Sequence, residues 1–244
     1  MALISVIIPY FKNKKYISRA LRSVIQQSYK NFEIIIIFDN DSNDELNYIK
    51  NLKKIDNRIK LIINNKNIGA GLSRNKAIKA SKGKYIAFLD SDDTWHPKKL
   101  KIQLTHMLKN KILISHTSYK IINKKNKIIG FRKAKKLEYS QLIKSCDIGL
   151  STVMIVKELL IKDQFAKLKT KEDYVLWLKL AKKKNVFYPI KNYLTKWRKL
   201  DNSLSSSIKQ KLLDGYTVYR VYLGQSIIKS LISLLNLSIN YIKK

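Results

Sequence analysis

Short apolar runs rich in isoleucine recur through the first part of the chain, at Ile4–Ile8, Glu33–Phe38, Ile59–Ile63 and Tyr85–Leu89. Each has the length of a strand, and their continuous apolar character marks strands covered on both faces. A segment with helical spacing follows each one, over Lys15–Gln27, Asp44–Lys54, Gly71–Ser81 and Pro97–Leu108. This alternation predicts an α/β fold built on an open, mostly parallel sheet with helices on both faces. Ligands of such sheets sit beyond the carboxyl ends of the strands. Two acids fall there, Asp39 after the second run and Asp90 after the fourth.

Beyond Lys111 the alternation stops. The pattern gives a strand at Ile112–Ser115, a hairpin over Lys120–Phe131 turning at Lys124-Lys125-Asn126, and an apolar segment at Val153–Val156. A helix at Glu172–Lys184 follows, then strands near Val186–Tyr188 and Tyr193–Trp197. With no internal repeat and no Gly/Ser-rich linker, this half is expected to build onto the same sheet. The tail from Tyr216 to Tyr241 reads as one amphipathic helix, with Ile227, Ile228, Leu231, Leu234 and Leu235 on one face and Ser226, Ser230, Ser233 and Asn240 on another. Two placements fit that pattern: packing on its own domain, or lying in the surface of an anionic membrane leaflet. The expected division is 1–205 for the domain and 206–244 for the tail.

At 244 residues and 45% hydrophobic content the chain can bury a full core. The lone Cys146 cannot close an internal disulfide, and no Cys/His cluster has zinc spacing, so a reducing cytoplasmic setting is expected. Met1 to Phe11 lacks a basic start and a cleavage site and reads as a first strand. Ser230–Ile242, the longest charge-free stretch of the tail, is shorter than the roughly 20 apolar residues of a spanning helix. The net charge of +33 invites a nucleic-acid reading. Arginine, however, supplies only seven of the 50 basic residues, lysines are spread over every segment, and no basic-aromatic patch appears, so no specific nucleic-acid partner is expected. The charge should instead draw in anionic sugar phosphates and anionic membrane surfaces.

Acids are scarce in such a chain, which makes their clustering informative. Asp90-Ser91-Asp92-Asp93 closes the fourth apolar run. Oxygen donors at this spacing suit Mg²⁺ or Mn²⁺ shared with substrate phosphates, although Asp92, Asp93 or Thr94 could instead cap the helix opening near Pro97. Asp39 begins Asp39-Asn-Asp-Ser-Asn-Asp-Glu45, where Ser42 and Glu45 have capping-box spacing and Asp39 itself is left over. Gly69 and Gly71 precede Arg74 at a helix start without forming a dinucleotide or P-loop fingerprint. Thr170-Lys-Glu-Asp173 ahead of Tyr174–Leu180 has the spacing of another capping box.

Together with Ser5-Val-Ile-Ile-Pro-Tyr-Phe11, these segments occur in the order in which they stand in the family-2 glycosyltransferases of GT-A fold, which the chain resembles from Ser5 to Ser205. The resemblance implies a nucleotide-binding half, 1–110, and an acceptor half, 111–205. It assigns nucleotide-sugar contacts to Pro9, Tyr10, Asp39, Arg74, Asp90 and Ser91, the divalent metal to Asp92, and the general base to Asp173 supported by Glu172. A carboxylate can accept from a base ring N–H, a guanidinium fork suits a diphosphate, and an inverting transfer needs a base for the acceptor hydroxyl. Two departures stand out. The family often has Asn after its Pro-x-Tyr start, whereas here Lys12 stands before Asn13; and Trp197-Arg-Lys-Leu200 lacks the histidine that many relatives carry before Asn-Ser-Leu-Ser, so that its assistance must come from Arg198 or Lys199 or be absent.

The expected activity is transfer of a sugar from a nucleotide diphosphate sugar, with UDP favoured, to a glycan or lipid-linked acceptor hydroxyl in surface-polysaccharide synthesis. Mg²⁺ or Mn²⁺ is the implied cofactor, and the expected location is cytoplasmic, at the inner face of the membrane. The competing classes are an idle nucleotide-sugar or carbohydrate-binding module and a nonspecific nucleic-acid binder.

Overall fold

A computed structural model describes residues 2–201 and 207–242. The expected boundary between 205 and 206, the Asn202–Ser205 motif, and Met1, Lys243 and Lys244 lie outside the described residues. The first half follows the predicted alternation: β1 (Ile4–Tyr10), α1 (Lys14–Ile25), β2 (Phe32–Phe38), α2 (Asn43–Lys53), β3 (Ile59–Ile63), α3 (Ala70–Ala80) and β4 (Tyr85–Phe88). The short β5 (Thr94–Trp95) and α4 (Lys99–Lys109) follow.

All seven residues of β2 are buried, and its six apolar ones alternate between two cores, while Glu33 is held by Ser5 and Lys60. Phe32, Ile34, Ile36 and Phe38 pack on α1 and α2, whereas Ile35 and Ile37 face α3 and the C-terminal elements. A strand covered on both faces leaves few polar positions, which is why these segments read as nearly continuous isoleucine. Burial of each such side chain stabilises by about 1.5–3 kcal/mol.

In the second half β6 (Ile114–Ile122) and β7 (Ile128–Arg132) form the predicted hairpin, with Asn126 left-handed at φ 64° in its turn. After α5 (Tyr139–Leu142) and a 3-10 turn at Leu150–Thr152 come β8 (Met154–Val156), α6 (Leu159–Lys162), α7 (Glu172–Lys182) and β9 (Tyr188–Arg198). The two strand fragments expected between Val186 and Trp197 are thus one strand. Its polar interruption, Lys191-Asn192, is exposed where the pairing with β6 shifts register, so the sequence pattern breaks while the ladder continues.

The sheet order is β3-β2-β1-β4-β8-β6-β9-β5, with β7 beside β6. Pairing is parallel among β3, β2, β1 and β4, and antiparallel where β8 joins β4 and β6. The open sheet is therefore mixed: β6 and β9 of the second half also pair in parallel, and β5 closes the order antiparallel to β9.

The tail differs from the single helix expected. It comprises α8 (Ile208–Thr217), a π-helical turn at Val218–Tyr222 and α9 (Ile227–Ile242). Gly224 breaks it, adopting φ 66°, a left-handed conformation that favours glycine and ends a helix. Val218, Tyr219 and Leu237 bury into the core beside α7.

Candidate active site

The carboxyl ends of β1, β2 and β4 open onto one edge of the sheet, and the chain places its unusual acids there. Asp39 follows β2 and is buried. Its Oδ1 accepts from Asn64 Nδ2 at 2.9 Å and from the Ile68 amide at 2.9 Å, and its Oδ2 accepts from the Gly69 amide at 2.8 Å. Asp39 therefore fixes the loop that opens α3, and three of its roughly four acceptor positions are taken. Gly69 adopts φ 88° there. Tyr10 is turned inward, stacked on Phe38 with its hydroxyl donating to Glu45 at 3.0 Å, so its side chain supports the end of β1. Burial and Glu45 hold that hydroxyl in its protonated form. Pro9 lies beside it, half-buried. Ser42 caps α2 by accepting from the Glu45 amide, but the Glu45 carboxylate bonds Tyr10 and Asn40 instead of closing the box.

The loop after β4 is held from three sides. Ser151 Oγ accepts from the Asp90 amide at 3.0 Å, and the Ser151 carbonyl accepts from Trp95 Nε1 at 2.8 Å. Ser91 Oγ accepts from Asn13 Nδ2 at 2.7 Å. Lys12 takes a left-handed φ of 45° just before Asn13, so the asparagine reaches the acidic loop from one position later than in the family pattern. On the third side is Arg198. Its backbone amide donates to Asp93 Oδ1 at 2.8 Å, and its guanidinium donates to the carbonyls of Asp92 and Asn123 and to Asn126 Oδ1, over the ring of Tyr16. All three guanidinium nitrogens are engaged, so Arg198 clamps the loop to the β6–β7 hairpin.

The capping alternative for Asp92–Thr94 fails on geometry. Thr94 starts β5, and α4 begins at Lys99 with Lys98 as its cap residue. Burial, followed by the charge of Asp90, pushes the Asp92 carboxyl up to about 6. Asp93 is buried with Oδ2 lacking a partner, and burial and its acidic neighbours raise it as well. Crowded carboxylates of this kind are relieved by a cation, and an oxygen-only donor set is of the kind that suits a hard divalent ion. Among the described residues no three acidic, His or Cys side chains converge into a complete cage. A site that shares its ion with substrate phosphates needs none.

Arg74 joins this loop to the second half of the chain. Buried on α3, it donates from Nη2 to Asp90 Oδ1 at 2.7 Å and from Nη1 to Glu172 Oε1 at 2.8 Å, against the Phe165 ring. Burial opposes its charge, and the two carboxylates more than offset that. Gly71 makes the approach possible: a Cβ there would meet the Ala166 carbonyl at 2.7 Å and Glu172 Cγ at 3.0 Å.

Asp173 follows Glu172 in the first turn of α7. Burial, then the charge of Glu172, raises its carboxyl to about 7, and Arg74 pulls the other way. Oδ1 accepts from the Tyr174 amide at 2.7 Å. Thr170 does not cap α7. The cap position is Lys171, left-handed at φ 62°, and Thr170 donates through both its amide and its hydroxyl to Asp214 Oδ2, each at 2.8 Å. A left-handed non-glycine residue costs on the order of 1–3 kcal/mol and persists where its surroundings enforce it. A carboxylate that titrates near 7 can take up a proton at neutral pH, whereas an ordinary aspartate cannot do so effectively.

The structure thus brings Arg74, Asp90, Glu172 and Asp173 together and sets Ser91 and Asp92 in the same loop as Asp90, with Asp39 and Tyr10 bracing the neighbouring strand ends. Sequence reasoning did not find Ser151 or Asp214. Each is an ordinary polar residue whose partner is distant in sequence, and no local signal marks it.

Comparisons with known proteins give the family and the fold. A sequence model of the family described as glycosyl transferase family 2 matches residues 5–178. An Escherichia coli protein named UDP-Glc:alpha-D-GlcNAc-diphosphoundecaprenol beta-1,3-glucosyltransferase WfgD is 40% identical over 207 residues, 84% of this chain and 80% of its own. Among solved structures, Staphylococcus aureus TarS 1–349 in complex with UDP-GlcNAc aligns with a TM-score of 0.75 at 21% identity, covering 95% of this chain and 70% of that one. A Pyrobaculum calidifontis mannosyltransferase in complex with GDP-Man and Mn²⁺ aligns with a TM-score of 0.71 at 11% identity, covering 95% and 69%.

Proposed function

The chain belongs to glycosyl transferase family 2 and is a glycosyltransferase, and from that premise we propose that it moves a sugar, with inversion, from a UDP-sugar to a hydroxyl of a sugar carried on a polyprenyl diphosphate. The observation that carries the mechanism is Arg74, which links Asp90 of the acidic loop to Glu172 beside Asp173. Donor-side and acceptor-side acids are thereby fixed relative to one another. The UDP-sugar and lipid-linked acceptor are supported by the name of the Escherichia coli relative, and the uridine diphosphate also by the TarS complex. Synthesis of a cell-envelope polysaccharide is the corresponding role.

In this reading Asp39 braces the base-binding edge, and Asp90, Ser91 and Asp92 face the ribose and diphosphate. A divalent ion held by Asp92 would neutralise the diphosphate as it leaves. Asp173 removes the proton of the acceptor hydroxyl while that oxygen bonds to the anomeric carbon, and the bond from that carbon to the diphosphate breaks to release UDP. Glu172 and Arg74 hold the base and set its charge environment.

The tail supports a place at a membrane surface. No helix among the described residues is long and apolar enough to cross a membrane. Helix α9 nevertheless turns much of its apolar surface outward: Ser230 and Leu237 are buried, whereas Ile228 is 73% and Leu235 60% exposed. Ile208, Leu213 and Val221 extend the apolar surface, with Lys209, Arg220 and Lys229 exposed among them. An anionic leaflet would accept both features.

The direct test is release of UDP from UDP-glucose in the presence of a synthetic GlcNAc-diphospholipid and Mn²⁺, with other sugar nucleotides in parallel. Turnover with none of the UDP-sugars would overturn the donor assignment.

A further inference from the structure

The base stands between two contacts made by the tail. On its N-terminal side, Asp214 of α8 accepts both donors of Thr170 at 2.8 Å, and Gln210 Nε2 donates to the other Asp214 oxygen at 3.0 Å. On its C-terminal side, the Tyr219 hydroxyl lies 3.1 Å from that of Tyr174, and each of these tyrosines donates to the α5 end, at Ile143 and Leu142. Asp173 is separated from each anchored residue by no more than three positions. Lys171, inside this bracket, is held in a left-handed conformation with its aliphatic chain against Gly215, where a Cβ would come 3.5 Å from Lys171 Cε. Asp214 is itself buried.

We infer that Asp214 is a positioning residue: through Thr170 it holds the Lys171 turn in the conformation that aims Asp173 at the acceptor hydroxyl. The inference rests on Asp173 being the base. One carboxylate oxygen that receives both the amide and the hydroxyl of a single residue fixes that residue's backbone and its rotamer together. The turn cannot relax into a right-handed entry to α7 while those bonds persist. The C-terminal helices are therefore part of the catalytic frame, and the tail is not an appendage to a complete site.

The experiment compares the full-length parent with Asp214→Ala, Asp214→Asn, Thr170→Val and Asp173→Asn, using UDP-glucose, Mn²⁺ and a GlcNAc-diphospholipid well below each melting temperature. A displacement of the base by about an ångström predicts a fall in kcat of roughly tenfold to a hundredfold in Asp214→Ala, with donor KM within about twofold of the parent. Its acid limb should also move to lower pH as the loosened turn admits water around Asp173. Asp214→Asn keeps an oxygen acceptor and should restore most of the turnover, and Thr170→Val should fall between. If Asp214→Ala lowers the melting temperature but leaves kcat and the acid limb unchanged while Asp173→Asn is inactive, Asp214 is only structural and the inference fails. If Asp173→Asn itself turns over normally, the base assignment beneath it has failed instead.

Discussion

Arg74 Nη1 and Glu172 Oε1 lie 2.8 Å apart across 98 positions of sequence. This buried ion pair ties the N-terminal half to the helix that carries Asp173. The guanidinium fork is needed because its other arm holds Asp90 at 2.7 Å. Removing one partner of such a pair strands the others, at a cost of about 3–5 kcal/mol. Arg74→Met should show that loss in chemical denaturation. Arg74→Lys keeps the charge but cannot span both carboxylates, so it should retain more stability and still lose most turnover. Wild-type turnover in Arg74→Lys would mean that the bridge does not order the site.

Asp173→Asn preserves shape and can still accept from the Tyr174 amide, but it cannot take a proton. Turnover should fall by roughly 10² or more with donor affinity little changed. In the parent, kcat should rise with pH through about 7, the value to which burial and Glu172 raise the carboxyl. A kcat that is flat from pH 5 to 9 would return Asp173 to a structural role.

The same group carries a stability consequence of opposite sense. Its folded value near 7 stands above the ordinary 3.8, so between these pH values the folded chain keeps a proton that the unfolded chain has lost. The stabilisation is present below about 4 and disappears as pH rises through 7. Asp173→Asn cannot ionise, so it should melt higher than the parent at pH 8, by an amount on the order of 1–3 kcal/mol after allowance for partial solvent access, and should match it near pH 4. His116, which burial pushes down to about 4, favours the folded state with the opposite pH dependence, and comparing variant with parent cancels it. Equal melting temperatures at pH 8 would contradict the raised value.

Asp92→Ala should abolish metal-dependent binding of UDP-glucose and leave the melting temperature of the unliganded protein unchanged or higher, because it removes a crowded acid. Titration calorimetry with and without Mn²⁺ measures this directly. Full parent activity in excess chelator would show that lysine and arginine alone neutralise the diphosphate.

Vesicles of anionic phosphatidylglycerol should co-sediment the protein, and those of neutral phosphatidylcholine should do so weakly. Each basic residue near the surface contributes about 1 kcal/mol and is screened by salt, while Leu231→Asp removes apolar burial from the outward face of α9. Binding that ignores both salt and Leu231→Asp would assign that face to something other than a leaflet.

Local pattern was enough for much of this molecule. Strands covered on both faces are largely apolar, and β3 at the sheet edge keeps four isoleucine or leucine positions, so β1 to β4 and the helices between them were legible within a residue or two, and so was the acidic loop they deliver. The family resemblance carried the chemistry of that loop and of Glu172-Asp173 further than spacing alone, which favoured a helix cap at Thr170. Tertiary structure decided which local signals were real. Thr170 turned from a cap into a hydrogen-bond donor to Asp214, the two fragments near Val186 and Trp197 fused across register shifts, and the tail broke at Gly224 with Ser230 and Leu237 inward. Arg198 proved to be a clamp on the acidic loop. These outcomes depend on partners tens of residues away, whose hydrogen bonds outweigh local preference once burial has removed the competing water, and a one-dimensional pattern holds no record of which partner will arrive.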